Sequence, residues 1–117
     1  MHLDHVYLSV KDMARAVTFW ETILKSKVTH KTKDRWANFN ETGVYIGLYR
    51  PGFDNRKIAF GDNVMLVLAT SDIESDHSYV TTVANSVTAI SHAGAAYRYF
   101  HFRDSEGNLI EVAQQTR

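Results

Sequence analysis

The feature that most constrains the fold is an order of secondary structure elements that occurs twice along the chain. Residues 3–10 alternate in polarity as a strand does, and Asp12 is placed to cap a helix over Met13–Leu24, where apolar residues recur at helical spacing. Three β-type runs follow, at residues 27–31, 35–39 and 44–50. The first half therefore predicts a strand, a helix and three strands, with a polar turn at residues 40–43.

The same order begins again after residues 51–61, which have no periodicity and which we interpret as a linker. An apolar strand is predicted at residues 63–70, and Ser71 or Asp72 can cap a second helix. A strand at residues 86–90, a loop and a final hairpin complete the copy. Repetition at this period predicts an α+β fold of two βαβββ modules.

The final hairpin brings two chemically active side chains together. A loop at residues 104–108, rich in turn formers, places His101 opposite Glu111 on one face of the ladder. Tyr97 and Tyr99 share that face by parity. An imidazole beside a carboxylate is costly to bury without partners, so the pair is either a functional site or an ordinary contact on a solvated face.

Composition excludes several classes of function. The chain has 117 residues, which suits a single domain: module one at about 1–50, the linker at 51–61 and module two at about 62–117. Its 13 basic and 13 acidic residues cancel and form no run, which argues against nucleic acid or membrane partners. There is no cysteine and no apolar span, so we expect a cytoplasmic protein without a thiolate metal site.

Two stretches of the sequence resemble the vicinal oxygen chelate superfamily. These are residues 5–13 (HVYLSVKDM), with Phe19 and Trp20 in the following helix, and residues 102–112 (FRDSEGNLIEV). The superfamily includes glyoxalase I, extradiol dioxygenases, and fosfomycin- and bleomycin-resistance proteins. Ser105 departs from the pattern, because many members carry proline there. The resemblance implies that the two modules curl mixed sheets around a cavity, and that the protein is a homodimer.

The resemblance also implies that metal ligands come from the first and last strands of each module. His5 and Glu111 match that pattern, whereas Gly47 and Met65, or Asn63 in a shifted alignment, do not. One imidazole and one carboxylate hold a divalent metal ion weakly, and methionine is a soft ligand for such ions. His101 could complete a facial triad or act as a catalytic base.

The alternative use of these residues is a metal-free pocket for a small apolar or aromatic ligand. Aromatic and polarizable side chains would line it, and a few polar groups would orient the guest. The predicted ligand-binding residues are His5, Trp36, Tyr45, Tyr49, Met65, Tyr97, Tyr99, His101 and Glu111. Trp36 and Tyr45 could equally fill the core.

The sequence thus favours a small-molecule-binding protein of the glyoxalase and bleomycin-resistance type, without a cofactor. The first rival is a metal-dependent lyase, dioxygenase or thiol transferase that uses His5 and Glu111. The second is a non-catalytic interaction domain whose cavity has been filled by side chains.

Overall fold

The computed structural model describes residues 4–42, 44–61 and 64–116. They form two compact units, Met1–Phe60 and Gly61–Arg117. Three positions used in the sequence predictions lie outside the described residues: residue 3 at the start of the first strand, Gly43 in the predicted turn, and Asn63. No helix in the described part of the chain is long and apolar enough to cross a membrane.

The first unit has one helix and a four-stranded mixed sheet. Its elements are β1 (His5–Ser9), α1 (Met13–Leu24), β2 (His30–Thr32), β3 (Trp36–Thr42) and β4 (Val44–Tyr49). The strand order is β1-β4-β3-β2, with β1 parallel to β4 and the other pairs antiparallel. Sequence order and spatial order therefore differ, because α1 carries the chain from β1 to the far edge of the sheet.

The second unit repeats this plan. Its elements are β5 (Leu66–Ala69), α2 (Ile73–Val83), β6 (Ser91–His92), β7 (Tyr97–Arg103) and β8 (Leu109–Gln115). The strand order β5-β8-β7-β6, again with a parallel first pair, matches the order in the first unit. Both units are βαβββ modules, which confirms the predicted α+β fold.

Each helix begins at the predicted cap and buries its apolar side. The Asp12 carboxylate accepts a hydrogen bond from the backbone N–H of Arg15 at 3.0 Å, and Asp72 accepts one from Ser75 at 3.1 Å. In α1 the buried residues are Met13, Ala16, Val17 and Trp20. In the second unit Phe100 and Phe102 of β7 are fully buried, so His101, at the opposite parity, belongs to the other face of the sheet.

Two of the predicted elements in the first unit differ from the structure. The strand β3 continues to Thr42, through most of the predicted turn at residues 40–43. The predicted linker contains a 3₁₀ helix, Pro51–Asp54, and its first residue is buried. This segment folds against the first unit because Asp54 accepts hydrogen bonds from Arg35, in the turn before β3, and from Tyr49 at the end of β4.

The second unit departs from prediction before its hairpin. Residues 86–90 were predicted as a strand, which is wrong: the next strand is β6, and it places His92 in a strand rather than a loop. Ser86 has a positive φ of 58°, which interrupts extended backbone. Thr88 still bonds to β7, through its backbone N–H to the His101 carbonyl at 2.9 Å.

Candidate functional site

The first unit carries a cluster of rings on the face of the sheet opposite α1, which we call the aromatic face. The register sets His5 beside Tyr45 and Tyr49 beside Trp36, and β1 adds Tyr7 two residues after His5. The His5 and Tyr45 rings stack with centroids 4.6 Å apart, and the Tyr7 and Trp36 rings meet edge to face at 5.7 Å. Tyr7 is 45% exposed, so the face is accessible within its unit.

The Trp36 indole lies directly over Gly47. A Cβ atom built on Gly47 would come within 2.5 Å of Trp36 Cζ2 and would also meet Cη2. The indole is fixed there because its N–H donates to the Asn38 Oδ1 at 2.9 Å, and the Asn38 amide donates to Asn40 at 2.6 Å. Glycine at position 47 is therefore what leaves room for the ring over β4.

A charged rim borders the aromatic face at Tyr49. The Tyr49 hydroxyl donates to Asp54 Oδ2 at 2.7 Å, and Arg35 Nε donates to the same oxygen at 2.8 Å. The guanidinium carbons of Arg35 and Arg56 lie 5.6 and 5.5 Å from the Tyr49 ring centroid. The Tyr49 hydrogen bond is the main cause that lowers the pKa of Asp54, and the charge of Arg35 adds to it.

In the second unit, Tyr97, His101 and Glu111 form what we call the Glu111 cluster. The predicted register is confirmed, since His101 pairs with Glu111 across β7 and β8. Each oxygen of the carboxylate has a partner: the Tyr97 hydroxyl donates to Oε2 at 2.5 Å, and His101 Nε2 lies 2.8 Å from Oε1. The side chains of His101 and Glu111 are 27% and 16% exposed.

The electrostatics of the Glu111 cluster favour the ionised carboxylate. Burial acts to raise the pKa of Glu111, but the hydrogen bonds from Tyr97 and His101 outweigh it and hold the pKa below its usual range. The bond to Glu111, together with burial, raises the pKa of Tyr97. The cluster therefore consists of a carboxylate that fixes a neutral phenol and an imidazole. Tyr99 completes this face, with its ring centroid 5.3 Å from that of His101.

The predicted site residue Met65 belongs to neither of the two clusters described above. Met65 precedes β5, and it is 43% exposed. His5 lies in the first unit, where its Nδ1 is 2.7 Å from Asp4 Oδ2, and Glu111 lies in the second.

The donor sets within the two units do not fit a divalent metal ion. In the first sheet Gly47 pairs with Tyr7 and Asn38, and in the second sheet Glu111 pairs with Val67 and His101. Gly47 and Glu111 therefore occupy equivalent positions on the last strands of the two units. In the first unit the Trp36 indole covers this position. In the second, both carboxylate oxygens already accept hydrogen bonds. Among the described residues, no group of three or more His, Asp or Glu side chains is placed to hold a metal.

Sequence reasoning missed the charged rim and the contact between Trp36 and Gly47. Arg35 and Asp54 are 19 residues apart, and Asp54 lies in a segment that has no periodic pattern. The signal that could have found the contact is the single glycine between apolar residues in β4, because glycine inside a strand often marks a close approach by another group.

Comparisons with known proteins agree with this architecture. The family model of the Glyoxalase/Bleomycin resistance protein/Dioxygenase superfamily matches residues 2–112. A search of curated protein sequences gave no significant match.

Three solved structures illustrate the similarity. An integron cassette protein from the mobile metagenome of V. cholerae is 25% identical, with a TM-score of 0.72, and the match covers 99% of this chain and 96% of that chain. A protein from the mobile metagenome of V. Pseudocholerae is 26% identical, with a TM-score of 0.73 and coverages of 100% and 96%. A lactoylglutathione lyase from Agrobacterium tumefaciens has a TM-score of 0.81 at 15% identity, with coverages of 97% and 92%, which shows a shared fold alone.

Proposed function

Because this chain belongs to the Glyoxalase/Bleomycin resistance protein/Dioxygenase superfamily, we propose that it binds a small apolar or aromatic molecule without a metal ion. The observation that supports this most directly is the aromatic face. Its five rings lie on one side of one sheet, with neighbouring centroids 4.6–6.3 Å apart. Rings at such distances offer both faces and edges to a further aromatic molecule.

The polar groups of the face suit orientation of a ligand rather than coordination of an ion. Small-molecule sites are mostly apolar, with a few polar groups that fix the pose. On the aromatic face these groups are His5, the Tyr7 hydroxyl and the charged rim around Tyr49. In the second unit, the Glu111 cluster and Tyr99 remain predicted ligand contacts, as does Met65. The homodimer likewise remains a prediction, which light scattering tests.

Trp36 provides the experiment. The chain has two tryptophans, and Trp20 is fully buried in the core, so a ligand on the aromatic face should quench the fluorescence of Trp36 selectively. A panel of neutral aromatic compounds should contain members that quench it saturably. The quenching should be lost in Trp36→Phe, which keeps Trp20 as the reference. Flat titrations across the whole panel would contradict the proposal.

Calorimetry with a matched pair of variants locates the site. Tyr45→Ala removes the ring that stacks on His5, and we expect it to weaken binding roughly two- to tenfold. Val44→Ala truncates an exposed apolar side chain at the start of β4, at the parity opposite to Tyr45, and should leave the affinity unchanged. Equal losses in both variants would mean that the ligand does not bind on the aromatic face.

Metal analysis separates this proposal from the metal-dependent lyase, dioxygenase or transferase. Protein purified without chelator should contain no stoichiometric divalent metal, and His5→Ala should not change its metal content. Stoichiometric metal that disappears in His5→Ala would overturn the metal-free reading. In that case His5 would be a ligand, as the family resemblance implies.

A further inference from the structure

The first unit contains a concave feature beside the aromatic face, at the carboxyl ends of its parallel strands. It is a cavity of about 320 Å³, which we call the basic pocket, and four cationic side chains line it together with apolar ones. Ligand pockets range upward from about 300 Å³, so the volume suits a small ligand or one end of a larger one. The cationic residues are Lys11, Arg50, Arg56 and Lys57.

The fold explains why these cations meet. The strands β1 and β4 run parallel and end at the same edge, where the Val10 N–H donates to the Tyr49 carbonyl at 2.8 Å. Lys11 and Arg50 follow directly. The 3₁₀ helix then turns the chain back, closed by a bond from the Arg56 N–H to the Pro51 carbonyl at 3.0 Å. This return brings Arg56 and Lys57 to the same edge.

Several of the contacts that hold these cations come from neutral groups. The Lys11 ammonium lies 5.0 Å from the Phe60 ring centroid, and the Arg50 guanidinium carbon lies 5.7 Å from that of Phe53. Arg50 Nε donates to the backbone carbonyl of Asp34 at 3.0 Å. Rings and carbonyls position a cation without cancelling its charge.

The lining therefore has an excess of positive charge. Among the described residues that line the pocket, four are cationic and none is acidic. The nearby Asp54 carboxylate accepts hydrogen bonds from Tyr49 and Arg35 and also interacts electrostatically with Arg56, but it does not line the pocket, so among the described residues of the lining no acidic side chain lies beside Arg50 or Lys57. Like charges around one cavity repel each other, and a bound anion relieves that repulsion.

We propose that the basic pocket binds the acidic group of an aromatic ligand, a carboxylate, sulfonate or phosphate. The pocket adjoins the aromatic face through Arg56, which lines the pocket while its guanidinium lies over the Tyr49 ring. Ile58 and Phe60 add apolar wall for the part of the ligand next to its charge. This inference rests on the proposed function, since it assigns the acidic end of the same ligand.

A pair of fluorescent probes tests the charge requirement. The probes are 1-anilinonaphthalene-8-sulfonate and the uncharged N-phenyl-1-naphthylamine, which share an aromatic skeleton and differ by the sulfonate. We expect the anionic probe to bind on the order of tenfold more tightly at low salt, with an advantage that shrinks as ionic strength rises. Equal binding of the two probes would overturn the proposal that the basic pocket binds an acidic group, and it would leave the proposed function standing. If neither probe binds, the result counts against both the basic pocket proposal and the proposed function.

Matched double variants locate the charge. Lys11→Gln with Lys57→Gln removes two exposed cations from the pocket and should abolish most of the preference for the anionic probe. Lys31→Gln with Lys33→Gln removes the same amount of charge near β2, at the opposite edge of the sheet. This double variant should keep the preference for the anionic probe. If both double variants lose the preference for the anionic probe equally, the preference depends on the net charge of the protein, and the assignment of the anion site to the basic pocket is overturned. Displacement of the anionic probe by inorganic phosphate at equal concentration would also overturn it, because the aromatic part would then contribute nothing.

Discussion

At the scale of single residues, Glu111 is the predicted site residue whose polar contacts are most fully satisfied. Both of its oxygens accept hydrogen bonds, and its side chain is 16% exposed. When one partner of a part-buried hydrogen bond is removed, the other partner is left unsatisfied, which destabilises the folded protein. The carboxylate thus contributes to the stability of the second unit whatever part it has in binding.

Glu111→Gln should lower the free energy of unfolding at neutral pH by about 1–3 kcal/mol, because one of the two donors then loses its acceptor. The folded-state pKa of Glu111 is lowered, so its stabilising effect is fully present above the ordinary glutamate pKa of about 4.3 and is lost as pH falls through the folded-state value. The stability gap between wild type and variant should therefore narrow in acid. Urea denaturation from about pH 7 to about pH 3 measures it.

The control is Asp34→Asn, an exposed carboxyl in the turn before β3. It should show little stability gap at any pH. A gap for Glu111→Gln that stays constant down to the lowest pH would mean that the ionised form has no special stabilisation in the folded protein.

Gly47→Ala tests whether the Trp36 indole depends on the absence of a side chain beneath it. The new methyl group would overlap the ring, so the indole must move, at a cost of about 1–3 kcal/mol. Chemical denaturation should show the loss, and the Trp36 emission spectrum should shift as the ring leaves its site.

Gly52→Ala is the matched control for Gly47→Ala. The nearest atom to its new Cβ would be Arg50 Nη1 at 3.4 Å, the end of a flexible side chain. Its stability should therefore change little. A Gly47→Ala protein as stable as Gly52→Ala, with an unshifted spectrum, would mean that the indole does not need this glycine.

At the scale of secondary structure elements, the N-caps connect sequence most directly to stability. Asp12→Ala should destabilise the protein by about 1 kcal/mol, because the Arg15 N–H loses its acceptor at the start of α1. Thermal denaturation measures the loss. Asp12→Asn keeps a capping oxygen and should recover most of the stability, so an Asn variant as weak as the Ala variant would show that the charge, rather than the cap, is what matters.

The elements also show what the sequence could predict. The helix Met13–Leu24 and the register of the last hairpin were predicted correctly, because both depend on local patterns: a cap followed by helical spacing, and a turn that fixes which residues face each other. The strand predicted at residues 86–90 failed for a non-local reason. Thr88 bonds to His101 on β7, and Ser86 adopts a positive φ, neither of which a local pattern reveals.

In the candidate sites, too, local patterns predicted some features, whereas contacts between separate elements could not be predicted. Parity along the last hairpin predicted that Tyr97, Tyr99 and His101 share a face with Glu111. It could not predict that Trp36 covers Gly47 or that Asp54 returns to Tyr49, because both contacts depend on how separate elements pack. The side-chain bonds of Asp54 were equally out of reach, because residues 51–61 have no periodic pattern from which a contact could be predicted.

At the scale of the whole molecule, zero net charge is the property with the broadest physical consequence. Thirteen basic residues balance thirteen acidic ones, and the calculated pI is about 7.0. Proteins near zero net charge lose the mutual repulsion that keeps copies apart. We therefore expect the lowest solubility near neutral pH, together with sensitivity to exposed apolar side chains such as Val64 and Val67.

Charge substitutions at the sheet edge near β2 distinguish two causes of low solubility, which are zero net charge and exposed apolar side chains. Lys31→Glu with Lys33→Glu changes the net charge by two units per site, whereas the corresponding Gln substitutions change it by one, and both side chains are exposed. If net charge governs association, the amount of precipitant needed at neutral pH should increase from wild type to the Gln variant to the Glu variant. Charged residues at a sheet edge also discourage strand pairing between copies, but this effect is the same for wild type and the Glu variant, because lysine and glutamate are both charged. If all three proteins precipitate alike while Val67→Thr, a polar replacement of similar size, is more soluble, apolar contact rather than charge neutrality drives the association of this chain.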